Sequence, residues 1–491
     1  MRIAMTLQHE WRIDSRVIRE AEALVRVGHQ VLVVCRSHTE RGLVETQNGV
    51  LYQSLPRTPA VTPLRLVLLF LIHLRIYCLW LADRFRISWR VGFRETSRSL
   101  KSLVILGFLL VPAATVAILW ILIRYVFPRS PRKKIWNELQ SVRKLWADVA
   151  RKLRIQERVA SYVEPLVHLN DYAASCTGSI VGWRADVVHA HDLVCLSGGY
   201  LAARKLGVPF IFDTHELETH TNYQLRRLTW LFIDRYQNAL IRRAAKVVTV
   251  CESIAEWLSR KYGIDRPTVI LNTPDLDASE DTGTCNETLR THLGLADSEK
   301  LAVYVGAVTI DRGLENCVEA LQYAPGIHLA LVGSRYSVTE ELLVRLADQF
   351  GVSERLHLVD PVPGNLVVPF VRSATFSLIP IQNVCLSYYY CMPNKLLESV
   401  VGGLPVAIAR LKELKSFLEK FPVGIEMDES SPKSIALAMQ KLSEEADQYR
   451  PTDDQVSAII RYYGWESQRA KLVRLYDGLE SSVLNEDAQT A

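Results

Sequence analysis

The chain has 491 residues, which is too long for one ordinary hydrophobic core and is typical of two or three domains. Hydrophobic residues make up 49% of it and charged residues 23%, so the composition excludes a largely disordered or fibrous protein. The net charge of +5 is unevenly distributed, since residues 64–160 hold 19 Lys and Arg against 5 Asp and Glu. This imbalance indicates one basic block in an otherwise mildly acidic chain.

Strands and helices alternate from the start of the chain. The run RIAMTL predicts a strand, a helix begins at Asp14 and ends at Gly28, and HQVLVVC predicts a buried strand. The alternation resumes after Ala185 with the strands ADVVHA, VPFIFD, KVVTV and PTVILN and with helices between them. Strands that alternate with helices predict a parallel sheet with helices on both faces.

Residues 60–180 interrupt this first sheet as a basic and hydrophobic insertion. Residues 103–123 form a run of 21 residues without a charge, which is long enough to cross a bilayer as one helix. A single crossing would separate residues 1–56 from residues 186–275, although both belong to one predicted sheet. We therefore expect a re-entrant or interfacial helical hairpin that enters one leaflet and returns.

The later part of the insertion has a different pattern. Residues 133–154 combine an apolar helical stripe that includes Trp146 with many Lys and Arg residues at the other positions. A basic amphipathic helix suits an anionic lipid surface, so residues 64–160 predict association with a membrane. The alternative is a buried core hairpin with a solvated basic face. Nucleic acid is not an expected partner, because no nucleic-acid-binding motif accompanies the basic residues.

A polar, turn-rich stretch, SEDTGTCNE at residues 279–287, predicts a linker. A second series of alternating strands and helices follows it. The predicted domains are therefore residues 1–278, which include the insertion, and residues 279–460, with a C-terminal helix and tail over residues 461–491. Two doubly wound α/β domains predict a cleft between them, and such sheets bind ligands at the carboxyl ends of their strands.

The stretch YYYCMPNKLLESVVGGLPVAIA predicts a helix with Pro393 in its first turn. The N–H groups of Asn394, Lys395 and Leu396 and the helix dipole favour an anion such as a phosphate. Lys395 adds a positive charge, and Glu398 lies one turn further on, where it could accept hydrogen bonds from a ribose diol. The alternative is an exposed Lys395–Glu398 pair worth roughly 0.2–0.5 kcal/mol.

The segment YVGAVTIDRGLENCVEAL has a similar character. A predicted strand ends at Gly306, and Arg312 precedes the next predicted helix. An Arg side chain grips a diphosphate with a bidentate fork. The two helix starts together predict a site for a nucleoside diphosphate that needs no metal ion. The alternative for Arg312 is a solvated residue at a helix start.

In the first half, HAHD (189–192) and DTHE (213–216) follow apolar strands, so their polar side chains lie at strand carboxyl ends. Such residues could bind sugar hydroxyls, orient an acceptor or assist proton transfer. A metal site from these His, Asp and Glu residues is the alternative, but neither motif has a diagnostic zinc spacing. The predicted acceptor-side residues are Asp14, Arg16, Asp192, His215 and Glu216.

Six segments resemble, in order, the landmarks of glycosyltransferase family 4, a retaining group with the GT-B fold. They are DSRVIREAEALVRVGHQVLVV, ADVVHAHD, FIFDTHELE, VILNTPD, YVGAVTIDRGLE and PNKLLESVVGGLPV. The resemblance covers residues 1–56 and 186–479 and implies two Rossmann-like domains that face each other across a cleft. It also implies transfer of a sugar from a nucleotide donor with retained anomeric configuration, without a metal ion or other cofactor.

The resemblance implies roles for single residues. Arg312 matches the basic residue that holds the donor diphosphate, and Lys395 lies in the helix start that cradles it. Glu398 matches the second Glu of the family's motif of Glu, seven residues, Glu, and would bind the donor ribose. His191 matches a His that contacts the transferred sugar. Tyr390 stands where the first Glu of that motif is expected, which leaves the identity of the sugar open.

Together these observations predict a metal-independent hexosyltransferase. The predicted catalytic residues are His191, Arg312, Lys395 and Glu398. The predicted donor-binding residues are Gly306, Arg312, Tyr390, Asn394, Lys395, Leu396 and Glu398.

The insertion in the first domain predicts a location at the cytoplasmic face of the bacterial inner membrane. It also predicts a lipid-linked acceptor, such as a polyprenyl-diphosphate glycan or a lipopolysaccharide precursor. The alternatives are a nucleotide-sugar epimerase of similar architecture and a degenerate, non-catalytic subunit that binds a partner at the membrane.

Overall fold

The computed structural model of the chain describes residues 1–37, 42–56, 172–173, 175–223, 227–273 and 287–490. The predicted insertion lies outside the described residues up to residue 171, and so do its charge-free run and its basic block. The predicted linker lies outside them up to residue 286. In the part of the chain that the structure describes, no helix has both the length and the apolar character needed to cross a membrane.

The described elements of the amino-terminal half alternate as the sequence predicts. In chain order they are β1 (Arg2–Thr6), α1 (Ser15–Arg26), β2 (Gln30–Arg36), β3 (Leu43–Gln47), β4 (Val50–Leu55), β5 (Val187–His191), α2 (Asp192–Leu206), β6 (Phe210–Thr214), α3 (Arg227–Ile241), β7 (Lys246–Thr249), α4 (Glu252–Tyr262) and β8 (Thr268–Val269). Two short 3-10 helices, Trp11–Ile13 and Glu218–His220, lie in the loops.

The alternation continues after residue 287. The elements are α5 (Leu289–His292), β9 (Lys300–Val305), α6 (Leu314–Ala320), β10 (Ile327–Val332), α7 (Ser337–Gln349), β11 (Leu356–Val359), α8 (Val367–Val371), β12 (Phe376–Ile379), α9 (Leu386–Tyr389), α10 (Asn394–Val401), β13 (Val406–Ala409), α11 (Lys412–Lys420), β14 (Gly424–Met427), α12 (Pro432–Tyr449), α13 (Asp453–Tyr463) and α14 (Trp465–Thr490).

The chain forms two compact units, each made of segments that are separate in sequence. The first unit comprises Met1–Ser15, Gly28–Asp213 and Gln224–Lys246. The second unit comprises Arg16–Val27, Thr214–Tyr223 and Val247–Ala491.

The first unit contains a sheet in which six strands are ordered β3-β4-β2-β1-β5-β6. Strands β3 and β4 are antiparallel, and the other neighbours are parallel, with Ile3 opposite both Val31 and Val187. The parallel arrangement was predicted, but the β3–β4 hairpin was not. Its signal is Asn48-Gly49, where both residues have positive φ (49° and 79°), as a two-residue hairpin turn requires.

The second unit contains a six-stranded, wholly parallel sheet in the order β11-β10-β9-β12-β13-β14. Its central strand β9 is buried on both faces. Leu301 and Val303 pack in one apolar cluster with α8, whereas Ala302 and Tyr304 pack in another with α6, α7 and α12. This continuous burial explains why β9 is apolar along almost its whole length.

Helix α10 connects two parallel strands of this sheet, β12 and β13. Its apolar residues Leu396, Leu397 and Val400 are buried with Ile379 and Ile408 of those strands. A helix that connects parallel strands begins at the carboxyl end of the first and returns to the amino end of the second. The start of α10 therefore lies at the carboxyl edge of the sheet, where α/β sheets bind ligands.

Candidate active site

The second unit has a pocket with a volume of about 600 Å³, within the range usual for small-molecule sites. Its walls come from the segments that follow β9, β10 and β11 and from the start of α10. The predicted residues that line it are His215, Glu216, Gly306, Arg312, Asn394, Lys395 and Glu398.

Two glycines let the backbones at the ends of β9 and β10 approach each other in the pocket wall. Gly306 has a φ of 121° and Gly333 one of 153°. A Cβ atom on Gly333 would lie 2.1 Å from the carbonyl oxygen of Gly306, and one on Gly306 would lie 3.1 Å from Lys395 Nζ. A side chain at Gly306 would therefore fill space beside the lysine, and one at Gly333 would collide with the backbone of Gly306.

Arg312 stands on a tight loop before α6. Asp311 has a positive φ of 61°, and Gly313, at the N-cap of α6, has one of 72°. A Cβ atom on Gly313 would lie 2.1 Å from the carbonyl oxygen of Pro380. The Arg312 guanidinium carbon lies 5.0 Å from the centroid of the Tyr388 ring, in the range of a cation–π contact.

Helix α10 begins at Asn394, and Pro393 is its N-cap in an extended conformation, with φ −80° and ψ 143°. The proline therefore lies one position before the first turn in which the sequence placed it. The N–H of Leu396 donates to the carbonyl of Pro393 at 3.1 Å. That amide is thus engaged within the helix start, and we do not count it among the groups offered to an anion.

Lys395 presents its ammonium group to the pocket. Its Nζ lies 3.7 Å from the centroid of the Tyr304 ring, whose hydroxyl donates to the carbonyl of Ala307 at 3.0 Å. Burial, together with the positive charge of Arg312, lowers the pKa of Lys395 to about 7. The ammonium is therefore poorly solvated, and a bound anion would favour its charged form.

Glu398 lines the same pocket, and burial raises its pKa to about 7 against the opposing charges of Lys395 and Arg19. Among the described residues, Lys395 and Glu398 do not form an ion pair, because the ammonium lies on Tyr304 instead. The alternative of an exposed helical salt bridge is therefore wrong. The pocket holds a cationic and an anionic group that both titrate near neutral pH.

Glu216 and His215 belong to the segment Thr214–Tyr223 of the second unit, and both line this pocket. The Ser387 hydroxyl of α9 donates to Glu216 Oε2 at 3.2 Å. From the sequence, both residues were expected on the acceptor side. The structure brings them into the pocket that holds Arg312 and Lys395.

Two predicted donor-binding side chains lie elsewhere in the second unit. Leu396 is fully buried in the apolar core beneath α10. The carbonyl of Tyr390 accepts a hydrogen bond from Cys251 Sγ at 3.0 Å, and its ring lies 5.3 Å from Lys412 Nζ. Tyr388, two residues earlier, lines the pocket.

Arg16 was predicted on the acceptor side and is only 2% exposed. Its guanidinium lies 3.0 Å from Glu20 Oε1 and donates to the carbonyl of Ile270 at 2.7 Å. The bond to Ile270 holds α1 to the end of β8, so the Arg16 side chain has a packing role within the second unit.

In the first unit, His191 ends β5 and is fully buried. Its ring stacks on that of His189, with centroids 4.2 Å apart, and its Nδ1 lies 3.7 Å from Asp213 Oδ2. His189 Nε2 lies 3.9 Å from the same oxygen, and these three side chains lie close enough together to hold a metal ion.

The two other acceptor-side candidates also belong to the first unit. Asp192 begins α2 with a positive φ of 65°, an uncommon conformation for a residue with a side chain. The amide of Asp14 donates to the carbonyl of Trp11 at 3.0 Å and so closes a 3-10 turn.

Several pocket residues were missed in the sequence, notably Tyr304, Gly333, Ser387 and Tyr388. One signal for Gly333 was available, because LVGS after β10 repeats the pattern of YVGA after β9. Strands that end in Val-Gly at the same sheet edge indicate a shared site. No local pattern distinguishes Tyr388 from Tyr389 and Tyr390, because the choice depends on how α9 turns.

The pocket has the properties of a diphosphate site. It combines an Arg fork, a Lys ammonium and the amino end of a helix, each of which favours an anion. Glu398 supplies a carboxyl group beside them, where it can pair with hydroxyl groups.

Comparison with known proteins finds similarity to glycosyltransferases. Residues 172–278 match the family model described as Glycosyltransferase Family 4. A D-inositol 3-phosphate glycosyltransferase of Mycolicibacterium smegmatis is 24% identical over 237 residues, which cover 46% of this chain and 54% of that protein. The aligned region thus spans about half the length of this curated relative.

Two solved structures are similar over nearly the whole chain. Sucrose-phosphate synthase from Thermosynechococcus elongatus has a TM-score of 0.65 at 13% identity and covers 98% of this chain and 100% of its own. Alr3699/HepE of Anabaena, in complex with UDP and glucose, has a TM-score of 0.55 at 12% identity with coverages of 98% and 100%. At these identities the likeness shows the fold, a two-domain α/β GT-B-like fold with parallel sheets. The resemblance found in the sequence is confirmed: residues 172–278 match glycosyltransferase family 4, and the curated relatives are glycosyltransferases.

Proposed function

We propose that this protein is a retaining glycosyltransferase that moves a sugar from a nucleoside-diphosphate sugar to a lipid-linked or membrane-proximal glycan. The setting is bacterial surface polysaccharide synthesis. One observation carries the proposal: Arg312, Lys395 and the start of α10 line a single pocket of the second unit, together with Glu398.

The cationic groups stabilise the leaving diphosphate. Negative charge grows on the phosphate oxygens as the bond to the sugar breaks, and preorganised donors in a buried site act most strongly on such developing charge. Arg312 offers a bidentate fork, and Lys395 gains its proton as the diphosphate arrives, because an adjacent anion raises a lysine pKa. These groups supply the charge that a divalent metal would otherwise supply, so the proposed reaction is metal-independent.

The bond changes follow from retention. The bond between the anomeric carbon and the diphosphate oxygen breaks, and the acceptor hydroxyl oxygen forms a new bond to that carbon from the same face. The hydroxyl proton passes to the departing phosphate oxygen, which lies on that face and gains charge as it leaves. Exclusion of water from the pocket limits hydrolysis of the donor.

Glu398 is the proposed ligand of the donor ribose. Its carboxyl group lies one helical turn after Lys395 and lines the same pocket, so a ribose attached to the bound diphosphate falls within its reach. The uridine donors are tested first, because a protein of the same fold, Alr3699/HepE, is described in complex with UDP and glucose.

The acceptor proposal rests on the sequence of the insertion. The charge-free run at residues 103–123 and the basic block at residues 64–160 favour a lipid surface rich in anions. An enzyme held there meets lipid-linked glycans. We accordingly propose the cytoplasmic face of the bacterial inner membrane as its location.

The donor is tested by a thermal-shift panel of UDP-, GDP- and ADP-linked sugars and the free nucleoside diphosphates. A ligand that binds the native state raises its stability by about 2.7 kcal/mol at a hundred times its Kd, so the preferred donor should raise the Tm above the rest of the panel. The proposal fails if no nucleoside diphosphate and no nucleotide sugar shifts the Tm.

The acceptor class is tested with the donor selected in that panel. Nucleoside diphosphate should be released when a bacterial membrane lipid extract is added, and label from the sugar should appear in the lipid fraction. Release without transfer to lipid would contradict the lipid-linked acceptor. Conversion of the donor sugar without any extract would indicate an epimerase.

A further inference from the structure

The segment Thr214–Tyr223 is bound to the donor pocket by two side-chain hydrogen bonds. Ser387 Oγ donates to Glu216 Oε2 at 3.2 Å, and Asn222 Nδ2 donates to Asp311 Oδ2 at 2.8 Å. Asp311 is the residue before Arg312, so the segment reaches both α9 and the loop that carries the Arg fork. This segment therefore contributes to the pocket that we assign to the donor.

Two neighbouring residues of α9, Ser387 and Tyr388, contact Glu216 and Arg312 respectively. The guanidinium of Arg312 lies 5.0 Å from the Tyr388 ring centroid. Burial raises the pKa of Tyr388, the charge of Arg312 opposes that rise, and the charge of Glu216 adds to it. Ser387, the neighbour of Tyr388 in α9, donates to Glu216, and all four residues line one pocket, so the Glu216 carboxylate shares that pocket with the Arg fork.

A carboxylate that lines the same pocket as a diphosphate site is suited to a sugar. It repels phosphate oxygens, and it accepts hydrogen bonds from hydroxyl groups, often from two neighbouring hydroxyls at once. The sugar of a nucleotide donor is bonded to the outer phosphate, so its hydroxyls lie next to the groups that hold the diphosphate. The Ser387 hydroxyl fixes one oxygen of Glu216 and so orients the carboxylate.

We propose that Glu216, oriented by Ser387, binds hydroxyl groups of the transferred sugar and restricts the donor to neutral sugars. This inference rests on the proposed function and adds the sugar class to it. It also accounts for Tyr390, which replaces a motif Glu and does not line the pocket: the carboxylate that meets the sugar is supplied by a different segment of the chain.

The test compares the binding of UDP, UDP-glucose and UDP-glucuronate to purified full-length protein by calorimetric titration. The wild type should bind UDP-glucose at least tenfold more tightly than UDP-glucuronate, because the sugar carboxylate would lie against Glu216. Glu216→Gln should weaken UDP-glucose by roughly tenfold, as expected for the loss of a charged hydrogen bond. It should also reduce the discrimination between the two sugars and leave UDP affinity unchanged. Ser387→Ala should also weaken UDP-glucose binding and reduce the discrimination, each by a smaller factor than Glu216→Gln does.

Glu218→Gln is the matched control, because Glu218 lies in the same segment and carries the same charge without lining the pocket. It should leave all three affinities at the wild-type values, and a fall equal to that of Glu216→Gln would overturn the inference. Unchanged discrimination in a folded Glu216→Gln protein that still binds UDP would also overturn it. Failure of the wild type to bind UDP, UDP-glucose and every nucleoside diphosphate of the panel would instead overturn the proposed function.

Discussion

Lys395 and Glu398 show how one pocket moves two opposite ionisable groups toward the same pH. Burial disfavours charge on both, so it lowers the pKa of the lysine and raises that of the glutamate, each to about 7. The two shifts have opposite consequences for stability. Stability should fall as pH rises from about 4.5 to 7, where the folded state keeps the Glu398 proton, and rise from about 7 to 10.5, where the unfolded state keeps the Lys395 proton.

The affinity for the nucleoside diphosphate should depend on pH through Lys395. As pH rises from about 7 to 8.5 the free protein loses the Lys395 proton, so binding must restore it and should weaken by up to about tenfold per pH unit. Lys395→Arg should keep most of the affinity and lose this dependence, because arginine stays charged throughout this range. Calorimetric titrations at several pH values measure both effects.

Both proteins contain Glu398, so a difference between the wild type and Lys395→Arg in the pH dependence of affinity reports the titration of Lys395 alone. A dependence of equal slope in the two proteins would show that another group titrates. It would then contradict the role assigned to the Lys395 ammonium.

At the residue scale, the sequence predicted the pocket groups that come from local patterns. Arg312 and Lys395 lie at helix starts, where the chemistry of the helix end indicates an anion site, and Glu398 lies one turn after Lys395. Tyr304 and Tyr388 were missed because their roles depend on which cation lies on which ring, a contact between residues far apart in sequence. Glu216 was predicted as a polar residue after a strand, but the pocket that it lines depends on how the segment Thr214–Tyr223 packs, which the sequence does not show.

At the scale of single elements, the loop before α6 is the most constrained part of the pocket. Asp311 and Gly313 both have positive φ, and the carbonyl of Pro380 lies against Gly313. The amide of Gln382 also donates to the carbonyl of Asp311 at 3.3 Å. These contacts fix where the Arg312 side chain leaves the backbone.

Gly313→Ala should therefore damage both stability and binding. The added Cβ atom would lie 2.1 Å from a backbone oxygen, so the loop must shift in addition to adopting a strained left-handed conformation. That conformation alone costs roughly 1–2 kcal/mol. We expect a lower Tm and at least a tenfold weaker affinity for the nucleoside diphosphate, measured by thermal unfolding and titration.

Gly326→Ala is the control for backbone strain. Gly326 has a φ of 73°, similar to that of Gly313, but a Cβ atom there would meet nothing within 4 Å. The Tm of Gly326→Ala should fall by less than that of Gly313→Ala, and its affinity for the nucleoside diphosphate should equal that of the wild type. Equal affinities in the two glycine variants would contradict the role assigned to the loop.

Elements were predicted well where hydrophobic periodicity is strong. The parallel strands and the helices between them follow the apolar runs of the sequence, because their burial leaves a clear period. The hairpin β3–β4 was missed because β3 is polar and largely exposed, so no apolar pattern marks it. The start of α10 differs by one residue, since proline satisfies the N-cap as well as the first turn.

At the scale of the whole molecule, the resemblance to the family and the two-domain fold followed from six landmarks in the right order, each weak alone. The grouping of segments into compact units is a different matter. Thr214–Tyr223 and Arg16–Val27 count with the second unit because of contacts to residues distant in sequence. Hydrophobic periodicity along a chain predicts helices and strands but does not predict contacts between distant residues. The insertion and its membrane association stay predictions from composition.

The account depends most on the claim that the pocket at the start of α10 binds the donor diphosphate. Lys433→Met is the matched control for Lys395→Met. Both lysines lie in the first turn of a helix, shortly after a proline, but Lys433, in α12, is exposed and lies outside the pocket. The deciding measurement is a calorimetric titration of the nucleoside diphosphate selected by the panel into the wild type and these two variants. We predict a roughly 10- to 100-fold loss of affinity for Lys395→Met, the usual value of a charged hydrogen bond, and wild-type affinity for Lys433→Met. Wild-type affinity in a folded Lys395→Met protein would contradict the claim.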